Sequence, residues 1–242
     1  MMFFERNSHK NLNGDFFTMK FIISTIIKLM IGAVAWGSLL FIPAGTIFWP
    51  EAWAFLIILF CYAFFLFIFY LKDNSKTVKS RDRIKPVHIK DLIIMFILTI
   101  CFLALFILPP LDLFRFHWTD HLIPQVFKYI GISIYTVSLV VYILVIRENS
   151  YLSRVVEVQK DQQVISTGPY SLVRHPMYLG NVLFFISIPL MFDSLIALLP
   201  AIVMIFMFML RILFEEKILI KDLSGYEEYR KKVRWRLFPG IW

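Results

Sequence analysis

The amino-acid sequence predicts an all-α integral membrane protein with about six transmembrane helices, and three observations support this prediction. Of the 242 residues, 59% are hydrophobic and only 17% are charged, whereas soluble domains have about 25% charged residues. Apolar stretches recur from residue 21 to residue 213, with no gap large enough for a separate water-soluble domain. Lysine and arginine concentrate between these stretches. We therefore expect four spans in residues 1–146, followed by a cytoplasmic segment, a helical hairpin and a basic tail in residues 147–242.

The first two spans are expected to form a tight helical hairpin. Residues 1–20 are polar and mixed in charge, as in a short cytoplasmic tail, and residues 21–42 are apolar apart from Lys28, which can snorkel to the interface. This run is longer than the apolar core of a signal peptide, about 7–15 residues, so we expect an uncleaved span. A short proline-containing turn follows, and residues 52–71 supply the roughly 20 residues that a membrane crossing needs.

The third and fourth spans are bounded by segments of opposite character. The segment before the third span is rich in cations: Lys72, Lys76, Lys79, Arg81, Arg83, Lys85 and Lys90. The positive-inside rule predicts that this segment is cytoplasmic. Residues 92–108 form the third span, which Pro109 and Pro110 are expected to end. The next segment carries only Arg115 as a fixed cation, so we expect it outside, and residues 126–146 then form the fourth span.

The C-terminal region combines a polar segment with a helical hairpin. Residues 147–167 contain short β-prone runs among polar residues and are too hydrophilic to cross a membrane. Residues 179–192 and 195–213 are apolar and predict two helices, the second kinked at Pro200. The tail interleaves cations with aromatic residues, which is typical of a segment that lies on a lipid surface. Both termini are expected on the cytoplasmic side.

Composition argues against two other classes of function. The formal net charge is +8, but the cations lie in loops between apolar spans rather than on one soluble face, so we expect no nucleic-acid partner. Cys61 and Cys101 lie in apolar segments, without a CxxC spacing or a nearby histidine. We therefore predict no metal site and no redox chemistry, and expect both cysteines to be packing residues.

The stretch GPYSLVRHPMYLG, residues 168–180, brings polar, cationic and aromatic residues to the predicted membrane boundary. Its Gly-Pro pair indicates a turn, and Pro176 is typical of the first residue of a helix, since the N–H it lacks would have no partner there. Such a helix start offers free N–H groups and a partial positive charge beside Arg174 and His175, which favours a carboxylate ligand. The alternative is that Arg174 and His175 are ordinary interfacial residues.

A second polar cluster lies at the end of the last apolar span. Arg211, Glu215 and Leu219 are spaced four apart and share one helical face, whereas Glu216 is turned about 100° away from it. Charged groups at membrane depth are costly and by default indicate a function. The alternative is a surface ion pair between Arg211 and Glu215, which would contribute only about 0.3–0.5 kcal/mol.

Together the two clusters resemble the isoprenylcysteine carboxyl methyltransferase family, and membrane methyltransferases that act on phospholipids share the general pattern. The shared features are the GPYSLVRHPMYLG stretch, the Arg-x3-Glu-Glu-x2-Leu of residues 211–219, the Gly-Tyr-Glu-Glu-Tyr of residues 225–229, and Pro239 near the end. The resemblance covers about residues 149–239. The first four spans are similar to the family only in being hydrophobic.

The resemblance implies a site for S-adenosylmethionine. In this family the cofactor is held by the His-Pro-x-Tyr stretch, by the tyrosine of the preceding Gly-x-Tyr and by the first glutamate of Glu-Glu-x2-Leu. The corresponding positions, with the upstream contacts, are Gln159, Gln162, Val164, Ile165, Tyr170, His175, Pro176, Met177, Tyr178 and Glu215. The resemblance also places Arg211 near a substrate carboxylate. We expect Arg174 to be a second substrate contact, and Arg211 and Glu215 to be the catalytic residues.

The chain departs from the family pattern at Gln162, where the family often has a histidine. Glutamine can still hydrogen-bond to adenine or ribose. The sequence also lacks the glycine-rich strand-to-helix turn of soluble Rossmann-type methyltransferases, so the cofactor site must be built differently.

The sequence therefore predicts an S-adenosylmethionine-dependent membrane methyltransferase that acts on a carboxylate of a lipid-like or prenylated amphiphile. A carboxylate has a reference pKa of about 4 and needs no general base near pH 7. Three alternatives stay open: a phospholipid N-methyltransferase with Glu215 or Glu216 as base, an NADPH-dependent membrane reductase similar to sterol reductases, and a non-enzymatic transporter or scaffold. Transporters often carry charges at the midplane, whereas here they cluster at one face. The membrane would be the cell membrane in a bacterium or the endoplasmic reticulum in a eukaryote.

Overall fold

The long helices of the chain pack side by side. The computed structural model describes residues 2–72, 89–119, 122–152, 158–159 and 161–242. Within these ranges the helices are α1 (Met2–Ala44), α2 (Pro50–Lys72), α3 (Ile89–Leu111), α4 (Gln125–Glu148), α5 (Pro176–Met191), α6 (Leu198–Asp222) and the short α7 (Tyr226–Lys232). None of the described residues is in a β-strand. The prediction of an all-α protein is therefore confirmed.

The number of apolar helices agrees with the predicted architecture. Among the described residues, five helices are long and apolar enough to cross a membrane, and α5 is a shorter apolar helix. The five are Ile22–Ala44, Pro50–Phe69, Asp91–Phe116, Gln125–Glu148 and Leu195–Asp222. Helix α1 begins at Met2, so most of the predicted N-terminal tail is helical and continues into the first span.

Helix α3 does not end where the sequence predicted. Pro109 and Pro110 lie inside it, and a π-helical turn, Asp112–Phe116, continues the chain beyond them. The prediction that these prolines end the helix is wrong. Proline fixes φ near the helical value, and two successive prolines withhold only the two N–H groups that would bond to Leu105 and Phe106. The helix therefore continues past the two prolines with two backbone hydrogen bonds missing.

Helix α6 starts later and ends later than predicted. It runs to Asp222 rather than to residue 213, so Arg211 and Glu215 lie well inside it. Pro200 is in its first turn, where the missing N–H breaks no intrahelical hydrogen bond. The kink expected at Pro200 is therefore wrong, because the expectation assumed a helix that starts at residue 195.

The core of the bundle is aromatic. Fully buried side chains join α2, α3, α4, α5 and the turn after α5: Phe55, Phe106, Tyr135, Ile188, Met191 and Phe192. The rings of Phe55 and Tyr135 stack with centroids 5.1 Å apart. Aromatic pairs of this kind contribute about 0.5–1.5 kcal/mol beyond their buried area. Cys101 packs against this core, whereas Cys61 is exposed, so the packing role predicted for both cysteines holds only for Cys101.

Polar contacts fix which helix ends lie on the same side. Arg115 Nε, after α3, donates to the Pro43 carbonyl at 3.1 Å in the last turn of α1. Lys128, at the start of α4, pairs with Glu51 at 3.2 Å and with Asp193 at 3.1 Å. The ends of α1, α3 and α5 and the starts of α2 and α4 therefore share one side, which agrees with helices that alternate in direction. Residues 73–88, which contain most of the cationic segment used to orient the protein, lie outside the described residues, so the orientation stays a prediction.

The C-terminal tail packs back onto the protein. Tyr226, Tyr229, Val233 and Leu237 are all buried, and the two tyrosines share one face of α7. The expectation that this segment lies on a lipid surface missed the protein contact, because an amphipathic pattern predicts a buried face but does not say what covers it. Tyr226, Tyr229 and Val233 pack against the segment that leads into α5, whereas Leu237 packs against α5 and α6.

Candidate functional site

Most of the predicted site residues line one cavity, at the end of the bundle where α5 starts and α6 ends. Its volume is about 360 Å³, within the range of small-molecule sites, about 300–1,000 Å³. The predicted residues in its lining are Gln162, Val164, Ile165, Tyr170, Arg174, His175, Pro176, Met177, Tyr178, Arg211 and Glu215. These residues come from segments up to 53 positions apart in the sequence, from 162 to 215. The two polar clusters therefore meet, as the sequence analysis required.

Gln159 does not belong to the lining. Its side-chain amide donates to the Tyr151 carbonyl at 2.7 Å, and its backbone N–H donates to Gln162 Oε1 at 2.8 Å. Gln159 thus braces the turn that carries Gln162, and Tyr151 and Gln162 reach the cavity themselves. The β-prone runs expected here form no strand among the described residues, and residues 153–157 lie outside them.

The approach to α5 is shaped by one glycine. Gly168 has φ +55°, in the left-handed region, and a Cβ there would lie 2.9 Å from a Glu148 carboxylate oxygen. Only glycine avoids both the strain and the clash. A short 3-10 turn follows, and α5 then begins at Pro176, as predicted. The first turn of α5 thus lies at the cavity, where Pro176, Met177 and Tyr178 are part of the lining.

Glu216 is the centre of a buried ionic cluster, which we call the Glu216 cluster: Glu216, Arg174, His175 and Arg236. Its Oε1 accepts from Arg174 Nε at 2.7 Å and lies 3.3 Å from His175 Nε2, and its Oε2 accepts from Arg236 Nε at 2.8 Å. Glu216 is 4% exposed. It is absent from the cavity lining, which agrees with the prediction that it is turned away from the face of Arg211 and Glu215.

Arg174 has a different set of partners from those expected. It lines the cavity, but its Nη1 donates to the carbonyls of Val233 at 2.9 Å and Arg234 at 2.7 Å, in the tail. The backbone N–H of Arg174 also donates to the Trp235 carbonyl at 2.9 Å. Arg174 is therefore a buried residue rather than an exposed interfacial one. The hydrogen bonds of its Nε and Nη1 go to Glu216 and to the tail. Arg174 anchors the tail behind the start of α5.

Glu215 and Tyr178 form a second polar group in the cavity lining, next to His175 of the Glu216 cluster. The Tyr178 hydroxyl donates to Glu215 Oε2 at 2.6 Å. The Tyr178 ring stacks on His175 at 5.7 Å between centroids and contacts Phe208 at 5.1 Å. A half-buried carboxylate held by a tyrosine hydroxyl, beside an aromatic ring, is suited to a cationic ligand.

Arg211 forms a buried ion pair that the sequence analysis missed. Its Nε lies 3.1 Å from Asp91 Oδ1, and Asp91 is 1% exposed. Asp91 is in the first turn of α3, outside the region that carries the family resemblance. The available signal was an acidic residue directly before an apolar span that had been taken to begin at Leu92. A carboxylate at that depth needs a cationic partner.

Three further tyrosines, Tyr170, Tyr226 and Tyr229, are part of the cavity lining. Burial raises the pKa of Tyr170 to about 12, although the hydrogen bond from Asn149 Nδ2 at 2.7 Å lowers it. Tyr170 is therefore neutral at physiological pH, and its own proton can be donated to a ligand. The Tyr229 hydroxyl donates to the Tyr170 carbonyl at 2.7 Å. The Tyr226 hydroxyl is buried and has no hydrogen-bond partner among the described residues.

Residues 226–229 were part of the recognised motif, but no role had been predicted for either tyrosine. Tyr226 and Tyr229 both line the cavity and both are buried. Gly225, directly before them, has φ +83°, which an L-residue with a side chain adopts only with strain. The glycine thus turns the chain so that the following helix can face the cavity. The signal in the sequence was the spacing of the two tyrosines, which are three residues apart and therefore share one face of a helix.

Comparison with known proteins supports methyl transfer. Residues 126–224 match the family model for phospholipid methyltransferase, less than half of the chain. That family is related to isoprenylcysteine carboxyl methyltransferases, so the resemblance found in the motifs is confirmed at this level. The matched region contains α4, α5 and α6 and indicates a membrane methyltransferase. A search of curated proteins finds no match to the chain.

Proposed function

We propose that this protein is an integral membrane methyltransferase that uses S-adenosylmethionine to methylate a carboxylate on a lipid-like or isoprenylcysteine-like amphiphile. The observation that carries the proposal is the shared cavity, which brings Glu215, Tyr178 and Arg211 together at one end of an apolar bundle. The match to phospholipid methyltransferase favours methyl transfer over the reductase and transporter alternatives. The end of a membrane helix also lets a lipid acceptor and a water-soluble cofactor reach one site from different phases.

The residues of the cavity fit S-adenosylmethionine. Glu215 would receive the ammonium group of the cofactor, and the rings of Tyr170 and Tyr178 would face the sulfonium. Gln162 offers an amide beside the apolar side chains of Val164 and Ile165, as an adenosine group requires. The orphaned Tyr226 hydroxyl is a further polar group that a ligand would satisfy.

When bound, S-adenosylmethionine supplies a methyl group that passes in line from sulfur to the acceptor oxygen, so that a C–O bond forms as the C–S bond breaks. The chain orients the acceptor and excludes water. Arg211 is only 8% exposed, and a guanidinium can hold a carboxylate through two hydrogen bonds. Good alignment of this kind can supply about 7–11 kcal/mol of a barrier. Asp91 lies 3.1 Å from Arg211 Nε and so fixes the guanidinium at the cavity wall, where it would orient the acceptor.

A second candidate is N-methylation of a phospholipid amine. The family match favours it. Asp91 favours it as well, because its negative charge offsets the positive charge of Arg211 and weakens the attraction of Arg211 for an anionic acceptor. An amine must lose a proton before or during transfer. Glu215 faces the cavity, whereas both oxygens of Glu216 are already bonded within the Glu216 cluster. In this candidate Glu215 is therefore the base.

Calorimetry on the protein in lipid nanodiscs tests cofactor use. We expect S-adenosylmethionine to bind and NADPH not to compete with it. Glu215→Gln should weaken binding about tenfold or more, since hydrogen bonds to charged groups contribute about 1.5–3 kcal/mol. Glu228→Gln is the matched control, because Glu228 is exposed and is not part of the cavity lining, and it should bind as the wild type does. Folded protein that binds no S-adenosylmethionine, or equal binding by Glu215→Gln and the wild type, would contradict the proposal.

A further inference from the structure

The Tyr226 hydroxyl is a buried polar group that lacks a partner. Tyr226 is 4% exposed and lines the cavity, and no hydrogen bond reaches its hydroxyl from the described residues. Leaving a buried donor unsatisfied costs about 1–3 kcal/mol, so buried hydroxyls nearly always have a partner. The neighbouring Tyr229 shows the ordinary arrangement, since its hydroxyl donates to the Tyr170 carbonyl at 2.7 Å. The partner of Tyr226 is therefore expected in the cavity.

The surroundings of this hydroxyl favour an anionic partner. The Glu216 cluster contains two guanidinium groups against one carboxylate, so it keeps a net positive charge even with a neutral His175. Arg174 brings this charge to the cavity wall. Helix α5 starts without a side-chain cap, and its first turn lines the cavity beside Arg174, so it adds a partial positive charge there.

The protonation state of Tyr226 makes it a donor. Burial raises the pKa of its hydroxyl, and the nearby carboxylate of Glu216 raises it further, although Arg174 lowers it. The group is therefore neutral at physiological pH. A neutral tyrosine hydroxyl has one proton to donate, and a carboxylate is the strongest acceptor for it among the groups of an amino acid.

We propose that Tyr226 donates a hydrogen bond to the α-carboxylate of S-adenosylmethionine, in an amino-acid subsite that it forms with Arg174 and the first turn of α5. Glu215 lines the same cavity and takes the α-ammonium group. A zwitterionic amino acid thus meets a net positive cluster for its carboxylate and a carboxylate for its ammonium group within one cavity. The inference rests on the proposed function, because it assumes S-adenosylmethionine as the ligand.

The test compares two ligands that differ only at the carboxylate. Affinities for S-adenosylmethionine and for decarboxylated S-adenosylmethionine are measured by calorimetry on the full chain in nanodiscs. The variants are Tyr226→Phe and the matched control Tyr142→Phe, whose hydroxyl donates to Asn181 Oδ1 at 2.7 Å away from the cavity lining. Thermal unfolding of each is followed without ligand. We expect the wild type to prefer S-adenosylmethionine by about tenfold or more, since the lost hydrogen bond is one to a charged group.

The two variants should behave in opposite ways. Tyr226→Phe should lose most of the preference for S-adenosylmethionine and should unfold at the same temperature as the wild type or higher, because it removes an unsatisfied buried group. Tyr142→Phe should keep the preference but unfold about 2–4 °C lower, because it breaks the hydrogen bond to Asn181. A variant that is merely damaged would not combine normal stability with a loss confined to the carboxylated ligand.

Two outcomes would overturn the inference. One is a wild type that binds both ligands equally well, which excludes a carboxylate subsite whether or not the variants fold. The other is a Tyr226→Phe variant with an undiminished preference for S-adenosylmethionine. A wild type that binds neither ligand contradicts the proposed function itself, so the two failures are distinct.

Discussion

Two adjacent glutamates on α6 have opposite tasks in this site. Glu215 faces the cavity and holds the Tyr178 hydroxyl. Glu216 faces the other way and neutralises part of the charge of Arg174 and Arg236. The 100° turn between successive residues of a helix is enough to separate them. One residue is thus exposed to ligands, while the other fixes the position of the groups behind the cavity wall.

Replacing Glu216 with glutamine should destabilise the protein itself. The change leaves two guanidinium groups near a neutral amide, and breaking a buried ion pair costs about 3–5 kcal/mol. Thermal or denaturant unfolding of the ligand-free protein measures the loss. Glu215→Gln provides the comparison, since it should weaken S-adenosylmethionine binding with a much smaller effect on unfolding. Equal stability of Glu216→Gln and the wild type would show that the Glu216 cluster contributes little to the fold.

At the scale of helices, the cavity depends on contacts between elements that are far apart in the sequence. Asp91 ties the start of α3 to α6 through Arg211, and α3 and α6 pack together along the bundle. The tail ties α6 back to the start of α5 through Arg174. Both connections place charged groups at the end of the bundle that holds the cavity, so changes in α3 or in the tail should reach the site.

A double-mutant cycle tests the link between α3 and α6. Asp91→Asn and Arg211→Gln should each destabilise the protein, because each leaves a buried charge without its partner. The double variant should lose less than the sum of the two, by about 0.5–3 kcal/mol, as for residues in direct contact. Unfolding in nanodiscs or detergent measures all four proteins. Strict additivity of the two losses would contradict a direct ion pair.

Removing residues 233–242 tests the role of the tail. The truncation removes the carbonyls that Arg174 Nη1 and the Arg174 backbone N–H bind, so we expect lower stability and weaker S-adenosylmethionine binding. Lys231→Gln with Lys232→Gln is the control, since both side chains are exposed. If the tail acted only by attraction to lipid headgroups, the double lysine variant would reproduce the defect and the two results would be alike.

For the molecule as a whole, local patterns in the sequence predicted more than contacts between distant residues. The start of α5 at Pro176 followed from proline chemistry, and the separation of Glu215 from Glu216 followed from helical periodicity. The pairing of Asp91 with Arg211 joins residues 120 positions apart, from 91 to 211, and no local pattern encodes it. Pro109 was misread because proline weakens a helix without always ending it.

The account of the whole molecule rests on methyl transfer from S-adenosylmethionine to a membrane amphiphile. Its most direct test supplies S-adenosylmethionine with a labelled methyl group to the protein in nanodiscs, together with carboxylated and amine-containing lipids. We expect label in the lipid phase that alkali releases as methanol, as from a methyl ester, and we expect Glu215→Gln to transfer little of it. Alkali-stable label would contradict the carboxylate acceptor and favour the amine. Folded, cofactor-binding protein that transfers no label to any lipid would contradict the central claim.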